Sequence, residues 1–284
     1  MQYLDYFKFL SKSKRKRKKI IIFLANESNK QFGKQKKGKQ RADMKLMIAG
    51  ILYYLKSGCT WEMLPNDFGP HQTVYGWYVK MCDVKLFEIL FPKLKIAFFK
   101  GAKKQIERLC SDGSLVQHCR KNELTGINPR NKNKNTINRM VTTNEDGLPL
   151  DIIICHGTAH DSIFFATSIY NSVNGLELKE TWYSHADKAF DSYASRKFIK
   201  QRGGIPEIPY RDMGKNKGVI NKKDSYRFVV ERYFAWSNSC KNLKVVFIKN
   251  ADRIKQMSLL FANIVYLRRF SESNIMDLMT GLSY

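Results

Sequence analysis

The sequence predicts an α/β sheet domain preceded by a small helical module. Two patterns point there. Across residues 105–210, short β-rich runs alternate with helical segments and are separated by turn signals. Across residues 41–100, apolar residues such as Leu46, Met47, Ile51, Leu52 and Leu55 recur at helical spacing. A third observation concerns what the fold must meet: 50 Lys and Arg oppose 25 Asp and Glu, a formal net charge of +25.

A compact chain with that excess repels itself unless a polyanion neutralises it. Nucleic acid is the polyanion best matched to such a charge footprint. The bland counterpart is a structural basic protein or a basic tail. The chain has 284 residues, enough for one or two domains with real cores. No run of about 20 apolar residues occurs, so no membrane span is expected. The six cysteines form no Cys-x-x-Cys pair, which speaks against a zinc knuckle and suits reduced thiols in a cytoplasmic protein.

Residues 1–40 carry thirteen basic and two acidic residues, and seven of the eight residues Lys12–Lys19 are Lys or Arg. Such a block is expected to be a disordered tail until it meets an anion. It reads equally as a DNA-binding arm or a dispensable extension. The short apolar stretch Ile20–Ala25 behind it is too short for a signal peptide.

In the 41–100 module, Leu46, Met47, Ile51, Leu52 and Leu55 mark a first helix that Gly58 punctuates. Thr60 opens a short helix that Pro65-Asn66 ends, Gln72–Cys82 is a third, and Lys85–Phe99 a fourth. Short helices with Gly- and Pro-marked turns are compatible with a helix-turn-helix. Gln72, Thr73, Tyr75 and Lys80 would then face DNA. A plain helical bundle with Tyr75, Trp77 and Tyr78 in its core fits the pattern as well.

In the 105–270 domain, Ser114–His118, Thr136–Thr143, Leu150–Cys155 and Thr181–His185 read as strands. Residues 161–171, 192–201, 225–239, with Phe228, Val229, Tyr233 and Trp236 as its apolar residues, and 251–270 read as helices. Residues 205–209 are extended, 211–224 are a Lys-rich loop, and 271–284 form a C-terminal tail.

Three acids stand out by context. Asp112 is followed by a turn glycine, Gly113, at the start of a predicted strand, Asp187 follows a strand end, and Glu231 lies in a helix. Such a set suits a two-metal phosphodiester site, because hard divalent ions want carboxylate oxygens and leave positions for water and phosphate. Spacing alone does not establish it, since a chain with 25 acids offers many such triples. His156 and His160, four apart, are a rival zinc pair, but Gly157 between them favours a turn.

Longer motifs add to this. They are residues 50–65 (GILYYLKSGCTWEMLP), 68–75 (FGPHQTVY), Gly147-Leu148-Pro149-Leu150 with His160-Asp161-Ser162, residues 186–192 (ADKAFDS), Ile208-Pro209 and residues 229–236 (VVERYFAW). In this order, over residues 38–270, they resemble the DDE transposases of bacterial insertion sequences, specifically the insertion-sequence-five group. The resemblance implies an RNase H-like core, a mixed sheet flanked by helices, behind a helix-turn-helix-like module that reads terminal inverted repeats. It implies that Asp112, Asp187 and Glu231 bind two Mg²⁺ or Mn²⁺ ions. Water would first attack at the transposon end, and the freed 3′-hydroxyl would then attack target DNA. Arg227, one helical turn before Glu231, matches the family's helical arginine and could hold phosphate or orient the glutamate. Lys188 and, after Trp236, Lys241 and Lys244 are the nearest further cations for DNA. The family's Arg-rich turn is replaced here by Ser237-Asn238-Ser239-Cys240-Lys241, and weaker phosphate grip is expected.

The implied partners are double-stranded DNA, both repeat ends and target, and further copies of the chain in a homodimer or higher oligomer. The implied location is the bacterial cytoplasm, at the nucleoid. A decayed or repurposed copy that only binds DNA is the alternative to an active enzyme.

Overall fold

The computed structural model describes residues 2–33, 41–129, 132–211 and 226–272. The chain divides into two compact units. The first comprises residues 1–94 and 238–284, the second residues 95–237.

The first unit is helical. A 3-10 turn (Gln2–Phe7) leads to α1 (Lys14–Phe32), then α2 (Met44–Ser57), α3 (His71–Asp83) and α4 (Leu86–Gly101), whose first half belongs here. A short α8 (Lys241–Lys244) and the long α9 (Ala251–Glu272) complete it. Asp43 caps α2 by accepting from the Lys45 N–H, and Gly58 ends it in the left-handed region, φ +70°. α9 buries residues all round, from Ile254 through Phe270, because it runs through the middle of this unit's core. Its Asn263 donates to the Phe87 carbonyl, its Gln256 accepts from the Phe87 N–H, and its Arg253 carbonyl accepts from Tyr78 Oη.

Three expectations change here. Residues 14–32 are an ordered helix rather than a disordered tail. Ile20, Ile21, Leu24, Ala25 and Ser28 fall on one face and are buried, which outweighs the charge on the other. Next, residues 58–70 hold two 3-10 turns, Trp61–Met63 and Asn66–Phe68, where a single short helix was expected from Thr60, and no tight helix-turn-helix turn is shown between α2 and α3. Finally, α9 packs in the helical unit, not in the sheet domain to which residues 251–270 were assigned. The expected 211–224 loop beyond Arg211 and the 271–284 tail beyond Glu272 lie outside the described residues.

The second unit is a mixed sheet with helices. Its strands are β1 (Ile106–His118), β2 (Gly126–Asn128), β3 (Lys134–Asn144), β4 (Pro149–His156), β5 (Leu178–Ala186) and β6 (Gly204–Glu207). β1 is central. It pairs antiparallel with β3 on one side and parallel with β5 on the other. β4 and β2 pair antiparallel along the far edge of β3, and β6 pairs parallel with β5. The order is therefore β4-β3-β1-β5-β6. Besides the second half of α4, the described residues of this unit form three helices: α5 (Ser162–Val173) packs on β3 and β4, α6 (Tyr193–Lys200) links β5 to β6, and α7 (Arg227–Asn238) follows. A parallel neighbour needs such a crossover helix, which is why α6 separates β5 from β6.

Candidate active site

The register of the parallel pair builds the site. Ser111 of β1 faces Ala186 of β5, so one step on, Asp112 of β1 sits beside Asp187, just past the end of β5. Asp112 lies in the middle of β1, paired with Val141, and not at a strand start. The glycine after it does not turn the chain. Gly113 pairs with Met140 in the ladder, and its missing side chain is filled by the Asp161 carboxylate, which an added Cβ would overlap. Asp187 directly follows β5 and precedes a 3-10 turn, Lys188–Phe190.

Glu231 comes from α7. That helix buries Val229, Val230, Tyr233 and Phe234, and so turns Arg227 and Glu231 outward on one side, four residues apart. Phe228 and Trp236, expected on the apolar face, are not buried; Phe228 is 57% exposed.

One guanidinium joins the three acids. Arg227 Nε lies 3.3 Å from Asp112 Oδ2 and 3.2 Å from Glu231 Oε1, and its Nη1 lies 3.2 Å from Asp187 Oδ2. Asp112 is 8% exposed, and its Oδ1 accepts from the Gly113 N–H at 2.9 Å. Burial lifts the Asp112 carboxyl above the usual carboxylate range, against the pull of Arg227 and the Gly113 N–H, and Asp187 adds to the rise. Burial alone would lower the Arg227 guanidinium, but the surrounding carboxylates hold it above its ordinary value. Among the described residues, no three His, Cys, Asp or Glu side chains are gathered closely enough to hold a metal as they stand. The acids are spaced by the width of the guanidinium between them.

A cleft of about 640 Å³ opens here, lined among others by Asp112, Asp187, Arg227, His160, Asp161 and Asn138. Glu231 reaches the same group of charges through Arg227. Asp161, which the sequence singled out without a role, accepts from Asn138 Nδ2 and is the third carboxylate lining the cleft, with Asp112 and Asp187. His156 and His160 each turn to a hydroxyl two residues on, Thr158 Oγ1 at 2.8 Å and Ser162 Oγ at 2.7 Å. They are not drawn together as a zinc pair.

The other expected DNA contacts are dispersed. Lys188 is exposed beside Asp187. Lys241 and Lys244 are exposed on α8, which belongs to the first unit. Gln72, Thr73, Tyr75 and Lys80 share the exposed side of α3. There the Tyr75 hydroxyl accepts from Arg253, and Lys80 lies over the Trp77 ring. Of the α3 aromatics Tyr75, Trp77 and Tyr78, Tyr78 alone is fully buried, at 1%.

A cation–aromatic group on the same sheet went unread in the sequence. Arg108 lies between the rings of Tyr183 and Tyr226, 4.7 Å and 4.3 Å from their centroids, and meets His185 Nε2 at 3.3 Å. Burial, with Arg108 nearby, pushes the His185 imidazole down to about 4. The period-two alternation Arg108, Cys110, Asp112 along β1 was the available signal.

A family described as "Putative transposase of IS4/5 family" matches residues 26–91. The "Putative transposase for insertion sequence element IS402" of Burkholderia cepacia is 27% identical over 133 residues, 45% of this chain and 61% of that protein. The similarity is to transposases. The aligned region thus spans about three-fifths of that relative's length. Among solved structures, a piggyBac transposase synaptic complex with hairpin DNA aligns at TM-score 0.41 and 9% identity, covering 99% of this chain and 79% of that one. A Mos1 transposase paired-end complex aligns at 0.27 and 12%, covering 76% and 82%. Both structural likenesses are too slight to show a shared fold. Among the described residues, no helix is long and apolar enough to cross a membrane.

Proposed function

We propose that this chain is a DDE transposase of the insertion-sequence-five group. Its second unit would be an RNase H-like core that cleaves DNA at transposon ends and joins them to target DNA. The observation that carries the reading is the convergence of Asp112, Asp187 and Glu231 on the Arg227 guanidinium. These acids come from a central strand, the end of its parallel neighbour and a helix. The matched family and the Burkholderia relative support the transposase part. The sheet order β4-β3-β1-β5-β6, three strands antiparallel and two parallel, supports the RNase H-like part.

The residues fit divalent cations. Carboxylate oxygens are the hard donors that Mg²⁺ and Mn²⁺ require, and here three carboxylates already share one cation. Asp112, Asp187 and Glu231 would hold the ions. When bound, two such ions activate an attacking oxygen and stabilise the leaving one. The protein's own part is placement. The β1–β5 ladder fixes Asp112 and Asp187 side by side, and the Gly113 N–H holds one Asp112 oxygen. Glu231 is the most exposed of the three and the freest to adjust. Arg227, released from the acids, is placed to take a DNA phosphate, with Lys188 beside it. The partners in this reading are double-stranded repeat ends and target, and a second copy of the chain. The setting is the bacterial cytoplasm.

A second reading is a transposase-derived protein that binds DNA without cutting it. The ion pairs of Arg227 favour it, because they spend the acids on a protein cation. The experiment is cleavage of a duplex carrying the element's terminal repeat, in Mg²⁺ or Mn²⁺ against EDTA, with wild type and Asp187→Asn. Metal-dependent nicking at the repeat boundary, lost in the variant, is expected. Equal binding by both proteins without nicking would instead establish the second reading.

A further inference from the structure

We infer that the outward face of α1 is a rigid, sequence-independent grip for the phosphate backbone of double-stranded DNA. The choice of DNA rests on the reading above; the surface itself does not depend on catalysis. Lys12, Lys14, Arg15, Lys18 and Lys19 are all exposed, at the start of α1 and just before it. Lys14 pairs with Asp5 at 3.0 Å. Arg15, Lys18 and Lys19 have no ion-pair partner among the described residues.

Left to itself this face is unfavourable. Lys14 and Lys18, and Arg15 and Lys19, are like charges four residues apart on one helix. No acid occupies the first turn, so the cations also stand at the wrong end of the helix dipole. Yet the helix is firmly built. Arg17, the one inward member of the run, is 3% exposed. It donates to the carbonyls of Leu4, Ser11 and Lys12 and to Asp5. Ile20, Ile21, Leu24 and Ala25 are buried behind it, and α1 packs on α2 and α9. The anchor fixes the remaining cations outward in a set array.

The array suits DNA better than a membrane. Cations four residues apart rise about 6 Å along a helix, close to two phosphate steps of about 3.4 Å on one strand. A membrane-surface helix needs an apolar face to insert, and the apolar face of α1 is already buried in the protein.

Deleting the segment is a poor test, because Phe7, Leu10, Ile20 and Leu24 are core residues. The full chain carrying Lys14→Gln, Arg15→Gln, Lys18→Gln and Lys19→Gln keeps them. Binding to a random-sequence duplex is measured by fluorescence anisotropy from low to high salt, with melting and circular dichroism to verify the fold. The log-log salt slope should fall by about 3 to 4, since each phosphate contact contributes about 0.9. A companion with Lys14→Arg, Lys18→Arg and Lys19→Arg should keep the wild-type slope. A slope unchanged in the Gln variant overturns the inference. So does binding to phosphatidylserine vesicles, lost in that variant, with the DNA slope unchanged. Should the Gln variant fail to fold, the four sites are neutralised singly; slopes falling by about one each support the grip, and unchanged slopes overturn it. Failure of cleavage with a normal salt slope would remove the transposase reading and leave this surface standing.

Discussion

The α-carbon of Gly113 faces the carboxylate of Asp161, in a space too small for a methyl group. Asp112 is thereby flanked, along its own strand, by a residue whose whole role is to be small. Gly113→Ala should destabilise the second unit by about 1–3 kcal/mol, the usual cost of overpacking. It should also reduce cleavage by shifting Asp112 or Asp161. The check is a double-mutant cycle in urea with Asp161→Ala. The cost of Gly113→Ala should shrink in that background, and strictly additive costs would show that Asp161 is not the obstacle.

Arg227 and divalent ions should compete. Arg227→Met leaves Asp112, Asp187 and Glu231 without their shared cation. Melting should drop at low ionic strength, and Mn²⁺ should bind about fivefold more tightly, the scale of one partly exposed ion pair of about 1 kcal/mol. Titration calorimetry reads the difference. Equal Mn²⁺ affinity in the two proteins would separate the arginine from the metal site.

Lys95 is a buried strut. Its Nζ donates to the carbonyls of Leu150, Asn171 and Ser172, at 3.1, 2.9 and 3.2 Å, with Asp151 as the nearby opposite charge. Burial pulls its ammonium down to about 8. Lys95→Met strands those carbonyls and the acid, and should cost about 3–5 kcal/mol in urea unfolding. A cost below about 1 kcal/mol would mean that the site collapses without penalty.

Asp151 supplies a pH signature. It is part-exposed as a residue, but its Oδ2 is buried, and burial pushes its carboxyl from 3.8 up to about 6. The folded chain therefore holds this proton at pH values where the unfolded chain has lost it. Stability from this group is full below about pH 4 and declines as pH rises towards 6, by about 1–3 kcal/mol. Asp151→Asn should flatten that part of the curve in urea melts from pH 4 to 7. The same slope in both proteins would assign the dependence to other groups.

Much of this was visible in the sequence, and the rest was hidden for physical reasons. The strands around Val141, Ile152 and Trp182 are β-rich runs between turn residues and formed where expected, while β1 begins at Ile106, eight residues before the run expected from Ser114. α3 and α5 through α7 likewise followed their apolar spacing. α1 was obscured because its charge drew attention from Ile20, Leu24 and Ser28, which share one buried face. Asp112, Asp187 and Glu231 could be picked out by local context. Their meeting at Arg227 depends on the β1–β5 register and the facing of α7, neither of which spacing reveals. Gly113 read as a turn because glycine usually marks one; only the approach of Asp161, forty-eight residues on, explains it. The assignment of α9 to the helical unit is a long-range pairing with no local signal.

That pairing has a consequence for how the protein is made and lost. The helical unit is written in two pieces, with the whole acid-bearing unit between them. On the ribosome, every residue of the sheet and its acids is translated before α9, which supplies the partners of Tyr78 and Phe87. A frameshift between α7 and α9 would spare every proposed metal ligand yet leave the helices that open the chain without the middle of their core. Inactivating mutations of this gene would thus be as effective in a helix that carries none of the chemistry as in the acids themselves.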